Sequence, residues 1–257
     1  MSRLLKKFIF CFICLFSLLL ALSTSAAEQK DFKRFRFELE GGPAWQAKND
    51  VQIPGNTGTE FSFKDLTGSG PYAAGRFTVD WNFLERHGLR LEVAPLRFDG
   101  TGNFNQAVSF AGRTFSPGTR TEGKYKFDTY RVSYRYLFFN KSSWRMHVGA
   151  TLLVRDAKIE LEQAGQKASD SNLGLAPLLN FSTEWDFARR WAAIFDFEGI
   201  AGGPGRALDL ALKLRYDLTD SWSIGGGYRM LEGGVDSDDV YNFSWFNYGF
   251  LTVGYHF

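Results

Sequence analysis

The feature that most constrains this chain is a two-residue alternation of apolar and polar side chains, repeated ten times between residue 34 and the end. An extended strand sends successive side chains to opposite faces, so such alternation marks strands with one apolar and one polar face. The runs cover residues 34–45, 72–83, 89–95, 126–138, 144–155, 175–187, 191–198, 208–218, 222–230 and 243–257. Eight of the ten are long enough to supply the roughly 9 to 11 residues that a tilted membrane strand needs. Short polar or glycine-rich turns separate several of them, at residues 85–88, 140–143, 188–190, 202–205 and 219–221. After the N-terminal segment no stretch holds 18 consecutive apolar residues. If the mature chain crosses a membrane, it does so as a closed sheet, because only a helix or a closed barrel satisfies its backbone in lipid.

Alternation alone does not say which face is inside. A soluble barrel buries its apolar face, whereas a membrane barrel turns that face to lipid and fills its lumen with polar groups. Three features favour the second arrangement. With an up-and-down order, Trp81, Phe83, Tyr136, Trp144, Trp185, Trp191, Trp222, Tyr255 and Phe257 fall on the apolar face near the periplasmic ends of their strands. They include five of the seven tryptophans. Rings with an apolar body and a polar tip suit a lipid–water interface. Trp45, Tyr228, Phe243 and Trp245 are candidates for the opposite belt.

The second feature is charge on the other face. It carries the basic residues Arg36, Arg76, Arg90, Arg131, Arg135, Arg145, Arg155, Lys213, Arg215 and Arg229. It carries as many acids: Glu38, Glu40, Asp80, Glu92, Glu184, Asp186, Asp196, Glu198, Asp209 and Asp217. Equal numbers predict mutual pairing in a confined lumen. The third feature is asymmetry of the connections. Long segments at 46–71 and 99–125 alternate with short turns, as outer loops alternate with periplasmic turns in membrane barrels.

The N-terminus reads as an export signal. Arg3, Lys6 and Lys7 precede an apolar run over residues 8–22, followed by the small residues Ser23, Thr24, Ser25, Ala26 and Ala27. This is the pattern of a cleaved signal peptide over 1–27, leaving a single domain at 28–257. The run is shorter than the roughly 20 residues of a spanning helix. Cys11 and Cys14 both lie inside it, so the mature chain needs no disulfide.

The carboxyl end, Leu251-Thr252-Val253-Gly254-Tyr255-His256-Phe257, resembles the insertion signal of bacterial outer-membrane proteins, with a terminal Phe and a Tyr two residues before it. The resemblance covers the mature chain as architecture. It implies location in the outer membrane of a Gram-negative cell, delivery to the barrel assembly machinery through Phe257, and contact with outer-membrane lipids and lipopolysaccharide.

Chemistry is weakly marked. His87, His147 and His256 all fall toward the periplasmic side, away from an outer mouth where a surface enzyme would place a general base. The carboxylate pairs Glu184/Asp186 and Asp196/Glu198 share the lumen with many arginines, which favours ion pairing over acid–base catalysis. Asp236, Asp238 and Asp239 form an acidic cluster but no calcium loop, and no cysteine or histidine spacing points to a metal. No catalytic residue, cofactor or metal is expected. The net charge of +2 gives no sign of a nucleic-acid partner. Gly225, Gly226 and Gly227 lie within a strand and serve spacing there. Val51, Ile53, Phe61, Phe63, Phe104, Val108, Phe110 and Phe115 in the long segments fold over the mouth, extend the hairpins outward or meet a surface partner; outward extension is the default.

The expected fold is therefore all-β: a closed antiparallel up-and-down transmembrane barrel of about ten strands, with eight or twelve as alternatives. The expected function is a charge-plugged wall protein with a structural or surface-interaction role. A narrow path for a small solute or hydrophobic molecule is the second reading, and an outer-membrane enzyme acting on lipid or peptide the third.

Overall fold

A computed structural model describes residues 33–202 and 205–257. The segment read above as a signal peptide, residues 1–27, lies outside the described residues. Among the described residues, fourteen strands and one short helix follow in chain order: β1 Phe35–Gln52, β2 Phe61–Ser62, α1 Lys64–Thr67, β3 Tyr72–Leu84, β4 His87–Ala94, β5 Arg97–Asn103, β6 Val108–Phe110, β7 Arg113–Phe115, β8 Arg120–Lys141, β9 Trp144–Gln163, β10 Gln166–Ala188, β11 Trp191–Gly202, β12 Gly205–Asp217, β13 Trp222–Asp236 and β14 Tyr241–His256.

Ten staves close into an antiparallel barrel. β4 and β5 share one stave, both lying against β8. The order around the wall is β1, β3, β4 with β5, β8, β9, β10, β11, β12, β13, β14, and β14 returns to β1. That last seam runs from Arg36↔His256 to Gln52↔Tyr241 with one bulge between Gln46 and Lys48. At its foot Phe35 and Phe257 exchange two backbone hydrogen bonds of 3.1 Å. Closure leaves no free edge along this seam, which is the condition for a sheet to lie in lipid.

The pleat sorts the faces. Phe77, Leu212 and Val253 point outward and are 45%, 52% and 48% exposed, while Arg131 points inward and is 4% exposed. A soluble barrel would show the reverse. Glycines admit the close strand approaches this wall requires: a Cβ on Gly227 would lie 2.1 Å from the carbonyl oxygen of Leu212.

Several strands are longer than alternation indicated, and the segments at 46–71 and 99–125 are not simple loops. β1 continues to Gln52, β9 climbs to Gln163, and β10 begins at Gln166. The β9–β10 turn uses Ala164 and Gly165 at φ of 48° and 82°, and the β6–β7 turn uses Ala111 and Gly112 at 47° and 75°. Positive φ at both central residues matches the right-handed twist of a tall hairpin. The apolar residues of the two long segments depart from the default of outward extension. Val51, Phe63, Val108, Phe110 and Phe115 are fully buried, in a cluster that also holds Ile53, Phe61 and Phe104. Aromatic rings that would meet water on an extended hairpin instead pack against one another over the mouth.

Candidate functional site: a layered closure of the lumen

Strand register stacks the inward charges in three layers. In the layer nearest the mouth, Glu40 of β1, Arg76 of β3, Glu92 of β4, Arg131 of β8, Glu198 of β11, Asp209 of β12 and Arg229 of β13 converge. Asp209 accepts from Arg131 and Arg229 at 2.6 Å each and from Arg76 at 3.2 Å. Arg131 also reaches Glu198 at 3.0 Å and Glu92 at 3.1 Å, Arg76 pairs with Glu92, and Arg229 contacts Glu40 at 3.1 Å. Ser133 and Thr151 donate to Glu198 at 3.2 and 3.0 Å, so its oxygens are served from two strands.

The next layer lies two to four residues along the same strands. Arg90 binds Asp80 through two nitrogens at 2.7 and 3.2 Å and meets Asp196 at 3.4 Å. Arg135 bridges Asp80 at 3.1 Å and Ser182 at 2.6 Å. Lys213 donates to Glu38 at 2.5 and 2.7 Å. The third layer sits at the rim that holds both strand ends of the closing seam. There Arg145 binds Glu184 at 2.8 Å and Asp186 at 2.7 Å, Arg215 binds Glu184 and, at 2.9 Å, Asp217, and Arg36 lies 3.9 Å from Glu184.

Nineteen of the twenty charges named from the sequence fall in these layers. The exception is Arg155. It points inward from β9, but above the layers, where its Nη2 meets only the Asn172 Oδ1 at 3.3 Å and its guanidinium lies 5.9 Å from the Phe127 ring. No carboxylate among the described residues pairs with it.

An apolar layer closes the lumen above the charges. Helix α1 tucks Leu66 inward. Gln46 ties the helix end to the wall, donating to Thr67 Oγ1 at 2.7 Å, to Tyr72 Oη at 2.8 Å and to the Gly68 carbonyl. Phe63 meets Phe98 and Tyr125 at ring separations of 6.4 and 5.5 Å, Tyr72 stacks on Phe98 at 4.0 Å, and Phe61 meets Phe104 edge-on at 5.1 Å. Offset and edge-on pairs of this kind add to the burial of the rings themselves. Folding over the mouth is one of the three arrangements the sequence leaves open for these residues, and the signal for it is the density of Phe in segments otherwise rich in Gly, Asn and Thr. The cavities within and between the layers measure about 20 to 30 Å³, room for a water or two.

Outside, the aromatic residues named from the sequence line the lower rim. Trp144 stacks on Trp185 at 5.3 Å, Trp191 lies against Tyr216 at 4.9 Å, Trp222 against Tyr255 at 4.8 Å, and Trp81 against Phe83 at 5.6 Å. Phe257 meets Phe35 at 5.5 Å, and Tyr136 meets His87 at 5.2 Å. At the other end Tyr228 and Trp245 both donate to Asn247 Oδ1, at 2.5 and 3.1 Å. Above Tyr130 and Val154 the outer face of β8, β9 and β10 turns ionic. Lys126 pairs with Asp156 at 2.5 Å, and Glu160 accepts from Lys158 at 2.9 Å and Lys167 at 2.7 Å. The two lysines hold the Glu160 carboxyl down at about 2.

The histidines stay at the lower end. His147 lines a cavity of the charged layers, His87 Nδ1 and Tyr134 Oη are 2.6 Å apart on the outside, and His256 is buried beside the last turn. No group of three metal-binding side chains occurs among the described residues.

The barrel wall finds counterparts among solved structures. The outer-membrane protease OmpT from Escherichia coli superposes with a TM-score of 0.57 at 8% identity, covering 91% of this chain and 99% of that one. At that identity the likeness is one of fold: a bacterial outer-membrane β-barrel. The attachment invasion locus protein Ail of Yersinia pestis gives a TM-score of 0.40 at 12% identity over 87% of this chain and 99% of its own. A Pseudomonas aeruginosa FadL homologue gives 0.39 at 8% identity over 91% and 93%. No family model and no curated protein sequence matches the chain.

Proposed function

We propose that the protein is an integral outer-membrane barrel whose lumen is shut, serving as a structural and surface-presenting element of the cell envelope rather than as a pore. The observation that carries this reading is the double closure: three ionic layers of interlocked opposite charges beneath an aromatic plug, with cavities of only about 20 to 30 Å³ within and between the layers. Ten strands enclose too little space for an aqueous channel once side chains fill it. The rings at the lower rim then serve as the periplasmic girdle, and Trp45, Tyr228, Phe243 and Trp245 as its outer counterpart, in contact with lipid and lipopolysaccharide. The ionic upper wall of β8, β9 and β10 stands clear of the bilayer as the surface available to an outside partner.

Purified protein in planar bilayers tests the closure. The expected record is flat at physiological salt; steady unitary channels would overturn the reading. The surface role is tested separately by trimming the β9–β10 hairpin above Asp156 and Leu173. The barrel is expected to fold and insert as before while whole-cell binding to surfaces falls; unchanged binding removes the hairpin from that role.

A further inference from the structure

The wall is uneven on one side. β10 pairs with β9 along its whole length up to Gln166, but its pairing with β11 stops at Leu179↔Gly199. The β11–β12 pairing ends soon after, at Gly202↔Gly205. From Gly174 to Leu178, β10 therefore has no strand partner on one edge among the described residues, while its outward side chains are still those of a lipid-facing wall. Leu173 and Leu175 are 71% and 69% exposed. Pro177 lies in this stretch, and a residue without an N–H belongs where a ladder has ended. Across the parting Ile200, inward by the register that buries Ile194, is 41% exposed.

Arg155 stands at the top of this parting. It is the cross-strand partner of Gly174, and a Cβ on that glycine would come within 3.2 Å of Arg155 Nη2, so the glycine makes room for the guanidinium against the strand. The Nε is buried without a partner, and Nη2 has only the 3.3 Å bond to Asn172. A guanidinium has five donors in a planar fork suited to carboxylate or phosphate oxygens. Here most of them are unused, beside an opening whose lower part is apolar. Between Gly174 and Leu178 the free edge runs for about 13 Å at roughly 3.3 Å per residue.

We propose that this parting is a lateral binding site for an acyl amphiphile with an anionic head, its chain along the free edge of β10 and its head on Arg155. The assignment rests on the outer-membrane reading, since the chain must arrive from the lipid. It explains together why the parting reaches down into the apolar part of the wall, below the ionic face, and why one lumen cation lies outside the charge layers. The head group is defined by its oxygens: a carboxylate, as in a fatty acid, or a phosphate monoester, as in a lysophosphatidate.

Photolabelling of the full mature chain in phosphatidylcholine vesicles tests this. The probes are palmitate, hexadecanol and palmitoyl lysophosphatidate, each with a diazirine in mid-chain, and adducts are mapped by mass spectrometry. An anionic probe is expected to concentrate its adducts on residues 174–178 and on Ile200, with the rest of the wall labelled evenly. Which anionic probe does so identifies the head. Arg155→Gln is expected to lower the seam labelling about ten-fold or more, the loss of a charge-assisted bond. Arg155→Lys should keep part of it, and Asn172→Ala, which frees the guanidinium, should keep or raise it. If Arg155→Gln does not reach the compact, heat-modifiable form, the lysine and alanine variants carry the same comparison. Hexadecanol labelling the seam as strongly as the anionic probes, or labelling indifferent to Arg155, overturns the site. Absence of labelling at Phe77, Leu212 and Val253 by every probe would instead overturn the membrane reading beneath it.

Discussion

Asp209 shows what a single side chain does in the plug. Three guanidinium groups meet on its two oxygens. Removing one partner of a buried ionic cluster leaves charges that neither protein nor water solvates, at a cost of about 3 to 5 kcal/mol. Asp209→Ala is expected to lose that much in urea unfolding followed by tryptophan fluorescence; a loss below about 1 kcal/mol, the scale of an exposed pair, would mean that water reaches the layer. Glu160 makes the complementary case outside the wall. Its carboxyl is held at about 2 against an ordinary value of 4.5, by Lys158 on its own strand and Lys167 across the hairpin. The unfolded hairpin binds the proton more readily, so this contribution is complete above about 4.5 and is lost as pH falls toward 2. Amide exchange at the β9–β10 tip should speed up over that window, relative to its intrinsic rate, and Glu160→Gln should remove the change. Parity placed Arg155 among the lumen charges, and it does face inward. Its height above the carboxylates was hidden because that depends on shear, which periodicity does not encode.

Among the elements, the strands were legible because a half-buried strand writes its period into the sequence. What was not legible follows one rule: where both faces of a segment are polar or both are buried, the alternation disappears. Alternation marks β10 only from residue 175, since Ser169, Asp170, Ser171 and Asn172 form a polar run with no apolar stripe, although the strand begins at Gln166. The plug is hidden in the sequence for the opposite reason. β2 has two residues and α1 four, too short for any period; α1 packs on β5 and β8, and Phe61 of β2 meets Phe104, all far along the chain. Phe63, at the centre of that plug, is fully buried. Phe63→Ala is expected to cost about 3 to 5 kcal/mol and to expose residues 97–125 to protease. The bilayer record should stay flat in this variant, because the ionic layers below remain intact. Channel activity would place the seal in the plug alone.

For the whole molecule the deciding property is which way the greasy face looks. Leu212 lies near the middle of β12 on that face. Leu212→Arg is expected to cost roughly 2 to 4 kcal/mol in lipid, read as a shift in the folding midpoint in vesicles. The same change would be almost silent if that face met water. Strand number and order were within reach of the sequence, since an even set of hairpins with both ends on one side closes in only one simple way. The cross-barrel ion pairs were not: Arg131 and Asp209 stand 78 residues apart on strands that are not neighbours. The meeting of Phe35 and Phe257 has a practical corollary. A circularly permuted chain, sewn there by a short linker and cut between Gly202 and Gly205, would keep every stave in its place yet end on a glycine. Its refolding in vesicles would measure what Phe257 contributes as a neighbour in the wall.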